Sequence, residues 1–438
     1  MKPPTGKLMA TALRRCRDAE IAWEQRCEID LADPRNRREF RGWGIRVNYE
    51  GRLGWAWGEP SELPEMLLER SLQAARSSPL EGILFAHGLP IHSSANAGEP
   101  MALEPHLEKL SRYVSKLQFL LPSLLKDHPT RIRASLRWQM LTLVTRAGEQ
   151  TGQRVVYQVA VDSTQPPLLQ AQILAARLRA NPSELLMELV WQSAHTDGVQ
   201  ELSAGETAAV FTPAASAALV TDMVARHFDA RRFDSHPEIA APWGEAWLSP
   251  QITLQDDATL QSGPGTVPFD GEGQLKRPVS LVQEGVVHHH LVDRFHARAQ
   301  GVDAPGLAVR EWGLPPNPGW SNLSLLGGRS SLGDLARDMG DGILLDRLVP
   351  CDAPCEPDEF CRLAEVAWLL QGGRPQIRLA PMLVRGRFSD LLGRELVNVA
   401  ADRAWHGRCL APALSIQRLR LEPCGEFQAR PEPPGAWW

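Results

Sequence analysis

The sequence has no apolar run long enough to cross a bilayer, which excludes a membrane-spanning helix. Its opening residues, MKPPTGKLMATALRRCRDAEIAW, contain no apolar h-region. A secretory signal is therefore not expected there, and cytoplasmic placement is. Neither sign of charge dominates: 47 Lys and Arg face 52 Asp and Glu, for a net charge of -5. That balance gives no global footprint for nucleic acid. The basic stretches RRCRDAEIAWEQR and ADPRNRREFRGW are interrupted by acidic residues and read as solvated faces. Cysteine is sparse and odd in number, seven in all, with no paired Cys-x-x-Cys knuckles, so reduced thiols are expected rather than a disulfide framework. A Walker loop, a dinucleotide fingerprint and a Gly-x-Ser-x-Gly elbow are all missing. Only three tyrosines accompany fourteen tryptophans, and nothing in the sequence accounts for that ratio.

What is there describes a globular chain. Hydrophobic residues make up 43% and charged residues 23% of 438 positions, enough for two domains. Leu8, Ala12, Cys16, Ala19 and Trp23 form a stripe that predicts a helix over 7–27. In RGWGIRVNYEGRLGWAW, Ile45, Val47 and Tyr49 alternate before Glu50-Gly51, and Leu53, Trp55 and Trp57 alternate after it; a hairpin pairing these two sets is expected. Helices follow near 61–77, with Leu67, Leu68 and Leu72 inward, and from Leu103 to Leu121, where Pro122 should break or kink the helix. Ile132, Ala134, Leu136, Trp138 and Met140 mark a strand, with a turn over 147–152 and a returning strand RVVYQVAV. Asn181, Pro182 and Glu184 read as N-cap, N1 and N3 of another helix. Near Gly205 the texture shifts to short strands punctuated by Gly and Pro. The reading is an α+β fold, with an N-terminal helix-and-hairpin domain over 1–203 and a strand-rich domain over 204–438.

Two stretches resemble one family. RGWGIRVNYEGRLGWAW is similar to the N-terminal signature of the TldD/PmbA proteins. QDDATLQSGPGTVPFDGEGQLKRPVSLVQEGVVHHHLVDRFHARAQG resembles their C-terminal core, with Phe269, Asp270, Glu272, Gly273 and Gly285 as the matching positions. PGWSNLSLLGGRSSLGDLARDMGDGILL continues the match through Asn322, Gly327 or Gly328, and Gly342. The likeness runs in order over most of 30–348 and thins beyond 350, where Arg387 stands in place of the usual Asp. It implies relatedness to a heterodimeric zinc peptidase acting on small or unfolded peptides, known also by the older name modulator of DNA gyrase. One subunit type, TldD, carries His-Glu-x-x-x-His on a helix; the other, TldE or PmbA, lacks it.

The corresponding helix here is AASAALVTDMVARHFDARRF. Zinc-assisted hydrolysis needs imidazoles to hold the ion and a carboxylate to take a proton from bound water. With His227 in the second histidine slot, Asp222 takes the first and Met223 the glutamate slot, and a thioether is no base. Leu219, Val220, Met223, Val224 and Phe228 are expected to be buried, His227 marginal, and Asp222, Arg226 and Asp229 outward. The most conspicuous alternative, His288-His289-His290 with His296, falls on the second strand of a hairpin turning at Glu284-Gly285; only Asp293 adjoins it as a further ligand, and polar strand residues are the expected reading. Cys351, Cys355 and Cys361, with Cys409 or Cys424, lack zinc-knuckle spacing and are expected to be free or redox-active thiols. Cys424-Gly425 stands where TldD-type proteins carry a Cys-Gly that supplies a zinc ligand. Asp256, Asp257, Asp270 and Glu272 lack the spacing of a calcium loop and read as turn residues.

These readings assign the chain no catalytic, cofactor-binding or metal residue of its own. The expectation is a TldE/PmbA-like subunit, not catalytic alone, that dimerises with a TldD-type zinc peptidase subunit or with itself. Zinc is expected in that partner, an extended peptide as substrate, and neither nucleic acid nor membrane as partner. The alternatives are an independent metallopeptidase with ligands from Asp222, His227, the cysteine loop or Cys424, and a non-enzymatic regulatory binding protein.

Overall fold

A computed structural model describes residues 5–33, 37–83, 85, 101–126, 128–165, 169–195, 198–233, 235–425 and 427–430. The terminal Gly435–Trp438 segment lies outside the described residues. The N-terminal half runs α1 (Thr5–Leu13), β1 (Asp18–Asp30), β2 (Arg37–Tyr49), β3 (Arg52–Gly58), α2 (Pro64–Ser77), α3 (Glu104–Leu124), β4 (Thr130–Thr145), β5 (Gly148–Ser163), β6 (Gln170–Ala175) and α4 (Ser183–Ala194). Its six strands form one antiparallel sheet in the order β3-β2-β1-β4-β5-β6.

The predicted helix over 7–27 is a helix only to Leu13; from Asp18 the chain is strand β1. Its alternation explains why. Ala19, Ile21, Trp23, Cys27 and Ile29 enter the core under the helices, while Asp18, Glu20, Glu24 and Arg26 take the opposite face, which is also buried. A period of two with charges on the second face is a strand pattern, but its acidic residues resemble the outer face of a helix.

The hairpin turns at Glu50-Gly51, both at positive φ, as a two-residue turn should. That turn pairs Tyr49 with Arg52, so Val47 faces Gly54 and Ile45 faces Ala56. Leu53, Trp55 and Trp57 therefore point to the other face, correcting the expected pairing. There the rings lie over Gly44 and Gly42: a Cβ at Gly44 would meet Trp55 at 2.1 Å. The β4–β5 turn is also tighter than expected, Thr145 pairing with Gly148, so 148–152 are strand. α4 starts at Ser183 with Pro182 as N-cap and no side-chain cap, so Asn181 is not the cap. α2 and α3 form where expected, and Pro122 lies inside the last turn of α3.

The C-terminal half opens with β7 (Val199–Gln200), β8 (Gly205–Phe211) and α5 (Pro213–His227). It continues through β9 (Leu254–Asp256), β10 (Val279–Gln283), β11 (Val286–Val287), α6 (Arg294–Gln300), β12 (Ala308–Arg310), β13 (Pro316–Pro318), β14 (Leu323–Leu325) and α7 (Leu332–Met339). The last elements are β15 (Gly342–Val349), β16 (Glu359–Gln371), β17 (Arg374–Leu379), β18 (Met382–Arg387), β19 (Leu396–His406) and β20 (Cys409–Pro423). Twelve strands form one mixed sheet, with β20 beside β8, β14, β18 and β19. α5 packs on that sheet through Leu219, Val220, Met223 and Val224. The fold is α+β.

The two halves meet through charges. Arg46 of β2, 2% exposed, reaches Glu272 at 2.9 Å and Glu20 at 3.1 Å. Arg310 of β12 also pairs with Glu20 and donates to Gly271 O at 2.9 Å. Burial pulls Glu20 upward, but Arg46 and Arg310 outweigh it and hold the carboxyl below its ordinary range. Glu272, buried beside Asp270 and Asp293, is raised to about 7 despite Arg46.

Candidate functional site

The carboxylates of the C-terminal signature are clamps. Asp256 accepts backbone N–H groups from Ser321 at 2.7 Å and Asn322 at 2.8 Å, and pairs with Lys276. Asp270 accepts from the backbones of Glu272, Gln274 and Ala308. Asn322 Oδ1 accepts from Gly265 N at 2.7 Å. Asp257 caps its own turn at Thr259. Thus three of the four acids are buried joints rather than simple turn residues, and Glu272 joins this signature to Arg46 in the N-terminal one. Nothing in the sequence spacing discloses that contact, which spans 226 positions.

The histidine run lies beyond the short strand β11, so alternation between two sheet faces does not apply to it. His288 N–H donates to Leu281 O. His289 Nδ1 lies 2.9 Å from Ser280 O, and His290 Nε2 2.8 Å from Ala241 O. His296 Nδ1 lies 2.6 Å from Asp293, which caps α6. The rings of His289 and His290 thus hold loop carbonyls.

A cavity of about 560 Å³ separates the two halves beside α5. Ala214, Ala217, Ala218 and Thr221 line it, one face of the helix at steps of three and four. At 100° per residue, Met223 and His227 sit about 200° and 240° from Thr221. They point into the core accordingly, at 0% and 2% exposure. His227 is therefore buried rather than marginal. Its Nδ1 lies 2.6 Å from Ile239 O, and its ring packs between Trp247 and Phe388. Burial lowers its pKa, so the neutral ring donates from Nδ1. Nε2 is 3.3 Å from Asp358 Oδ1 without hydrogen-bond geometry.

Met223 and His227, placed in two of the motif slots, therefore face the core and not the cavity. A register one residue earlier falls on Thr221, Asp222 and Arg226, of which Thr221 lines the cavity. Thr221 and Arg226 stand in the two imidazole slots, and Asp222 in the carboxylate slot. Arg362 of β16 grips Asp222 in a bidentate pair, Nε to Oδ2 at 2.7 Å. Arg226 Nη1 lies 3.6 Å from Cys355 Sγ. Asp229, expected outward, is 7% exposed and pairs with Arg231. An arginine, a hydroxyl and an already paired carboxylate do not fit a zinc ion. Among the described residues, no three His, Cys, Asp or Glu side chains are grouped to hold a metal.

The cavity also contains an acid pair. Glu188 of α4 and Asp346 of β15 both line it. Burial raises both, and the charge of Asp346 adds to the effect on Glu188. Thr212 Oγ1 donates to Asp346 at 2.8 Å, while Arg347 and Arg378 lower its pKa in part. A carboxyl whose folded pKa is raised stabilises below the unfolded value near pH 4, and that contribution is lost as pH rises through the folded value. Asp346→Asn is therefore expected to be more stable than the parent at pH 8, by on the order of 1–3 kcal/mol, with the gain vanishing near pH 4. Thermal unfolding across pH checks this; an equal shift at both ends would refute the acid pairing.

Comparison with known proteins agrees with this architecture. The family described as "PmbA/TldA metallopeptidase C-terminal domain" matches residues 204–422, half of the chain. A protein called "Metalloprotease TldD homolog" from Haemophilus influenzae is 27% identical over 132 residues, covering 30% of this chain and 27% of that protein. "Metalloprotease PmbA" from Escherichia coli O157:H7 is 23% identical over 159 residues, 36% of this chain and 33% of the relative. The chain thus matches only about a quarter to a third of these curated relatives' length. The crystal structure of TldE from Thermococcus kodakarensis superposes with a TM-score of 0.77 at 18% identity, over 95% of this chain and 99% of that one, a likeness of fold. With the signature residues joined at Arg46–Glu272 and the family match spanning residues 204–422, the chain is a member of the TldD/PmbA family.

Proposed function

We propose that this chain is the TldE/PmbA-like subunit that binds no metal and pairs in the cytoplasm with a zinc-bearing TldD-type subunit to cleave or mature peptides. The supporting observation is on α5: its cavity-facing positions are Ala214, Ala217, Ala218 and Thr221, which offer no imidazole, while His227 is buried in the core and Arg362 holds Asp222. Hydrolysis then requires the partner's ion and base. The partner engages the C-terminal half, and this chain supplies one wall of the chamber, where an extended peptide pairs with strand edges.

The isolated chain is expected to contain no stoichiometric zinc by elemental analysis and to leave an unstructured peptide intact. Mixed with a TldD-type relative from the same cells, it should form a complex whose hydrolysis a chelator abolishes. Stoichiometric zinc and chelator-sensitive cleavage in the isolated chain would overturn the proposal in favour of an independent metallopeptidase. Recovery of an unrelated partner from those cells would favour a regulatory binding protein.

A further inference from the structure

Four of the seven cysteines share one patch at the end of β16. Ala353, Leu363 and Leu383 form its apolar floor, with Cys361 buried among them and Cys351, Cys355 and Cys424 packed at the margin. The remaining three, Cys16, Cys27 and Cys409, are buried elsewhere. Within the patch Cys351 lies near both Cys361 and Cys424. Cys355 packs against the cluster that holds Cys361. Cys424 lies near Cys351 and donates to Phe427 O at 3.0 Å.

We infer that Cys355 and Cys361 form a reactive dithiol that takes a two-electron oxidant of the peroxide class and closes to an intramolecular disulfide. Cys355 is the attacking sulfur. It is half-buried, at the surface end of the pair, with Arg226 Nη1 3.6 Å away and Glu359 O accepting its proton at 2.8 Å. Arg226 is itself anchored to the same loop, donating to Glu356 O at 3.4 Å. Cys361 lies inward on β16, out of reach of bulk oxidant, in the position of a resolving thiol.

The chemistry balances with hydrogen peroxide as the oxidant. The Cys355 thiolate attacks one peroxide oxygen, the O–O bond breaks, and the leaving hydroxide takes a proton to become water. The Cys361 thiol then attacks the resulting sulfenic sulfur, the S–O bond breaks, and a second water departs as the disulfide forms. Two thiols lose two electrons and two protons, and peroxide becomes two waters.

The local charges favour this division of labour. Proximity to the Cys361 thiol, assisted by Arg226, outweighs burial and lowers Cys355 to about 7. The same proximity, together with burial, pushes Cys361 upward and keeps it protonated. At pH 7 a thiol with a pKa near 7 is about half ionised, against about one part in a hundred at 9; lower nucleophilicity cancels most of that, leaving about a five-fold rate advantage. The loop closed by the disulfide carries Asp358, which faces His227, and ends one residue before Arg362, the partner of Asp222.

The test uses the full, reduced chain at pH 7. Iodoacetamide is expected to modify Cys355 about five-fold faster than Cys424, an equally half-buried reference. Arg226→Ala and Cys361→Ser should each reduce that ratio. Equimolar hydrogen peroxide should make the tryptic peptide 348–362 lighter by two hydrogens. That change should persist in Cys351→Ser and disappear in Cys355→Ser and Cys361→Ser. Dimedone should label Cys355 in the Cys361→Ser chain, an outcome that a merely misfolded variant would not give. A Cys351–Cys424 disulfide instead, or Cys355 reacting no faster than Cys424, would overturn the inference.

Discussion

Arg46→Met is expected to lower the stability of this chain by about 3–5 kcal/mol at pH 7, the largest loss from any single polar side chain in the joint between the halves. The reason is the charge it leaves behind. Glu20 keeps Arg310, but Glu272, 1% exposed, retains only the backbone N–H of Arg294 at 2.8 Å. Arg46 also stacks over Phe85 at 4.6 Å, a contact that methionine replaces only as an apolar body. An uncompensated carboxylate there protonates instead of remaining charged. Without Arg46 the folded pKa of Glu272 rises further above about 7. Its stability is then kept at low pH and lost as pH rises, so the deficit relative to the parent should widen between pH 5 and pH 8. Glu272→Gln, which still accepts from Arg294, should recover part of the loss in the double variant. Urea unfolding of the parent, the single and the double variants measures this cycle. A loss under about 1 kcal/mol, or no recovery, would show that the joint is carried by packing.

Legibility in the sequence followed the locality of the signal. The Glu50-Gly51 turn, α2, α3 and the strand before Pro213 were all readable, because each depends on residues a few positions apart. The strand pattern of β1 is masked because its second face, Asp18, Glu20, Glu24 and Arg26, is charged yet buried. An acid in a strand interior looks solvent-facing until its partner is known, and Arg310 lies 290 residues from Glu20. The strand faces of Trp55 and Trp57 were displaced by one residue, since a two-residue turn pairs odd positions with even ones. For the functional helix, sequence reasoning located α5 and its buried stripe correctly. It could not orient the helix toward the cavity, because β6 and α4, which line the far wall, belong to the other half.

That orientation has a sharp consequence. With Thr221 at the cavity and Met223 in the core, glutamate should be ruinous at Met223 and a histidine tolerable at Thr221. Met223 is fully enclosed by the apolar core of the larger sheet, with no described basic side chain paired to it. Met223→Glu must either bury a charge or protonate, and both alternatives leave polar atoms without partners in a close-packed site. A loss of about 4 kcal/mol or more is expected, enough to turn much of the chain insoluble. Thr221 instead lines the open cavity and is half-buried. Thr221→His is expected to cost about 1 kcal/mol or less, since its ring extends into the cavity. Soluble yield and thermal unfolding of the two variants test this orientation of α5. Equal tolerance at Met223 and Thr221, or the reverse order, would show that α5 turns its other side to the core and remove the structural basis for placing Thr221 at the cavity.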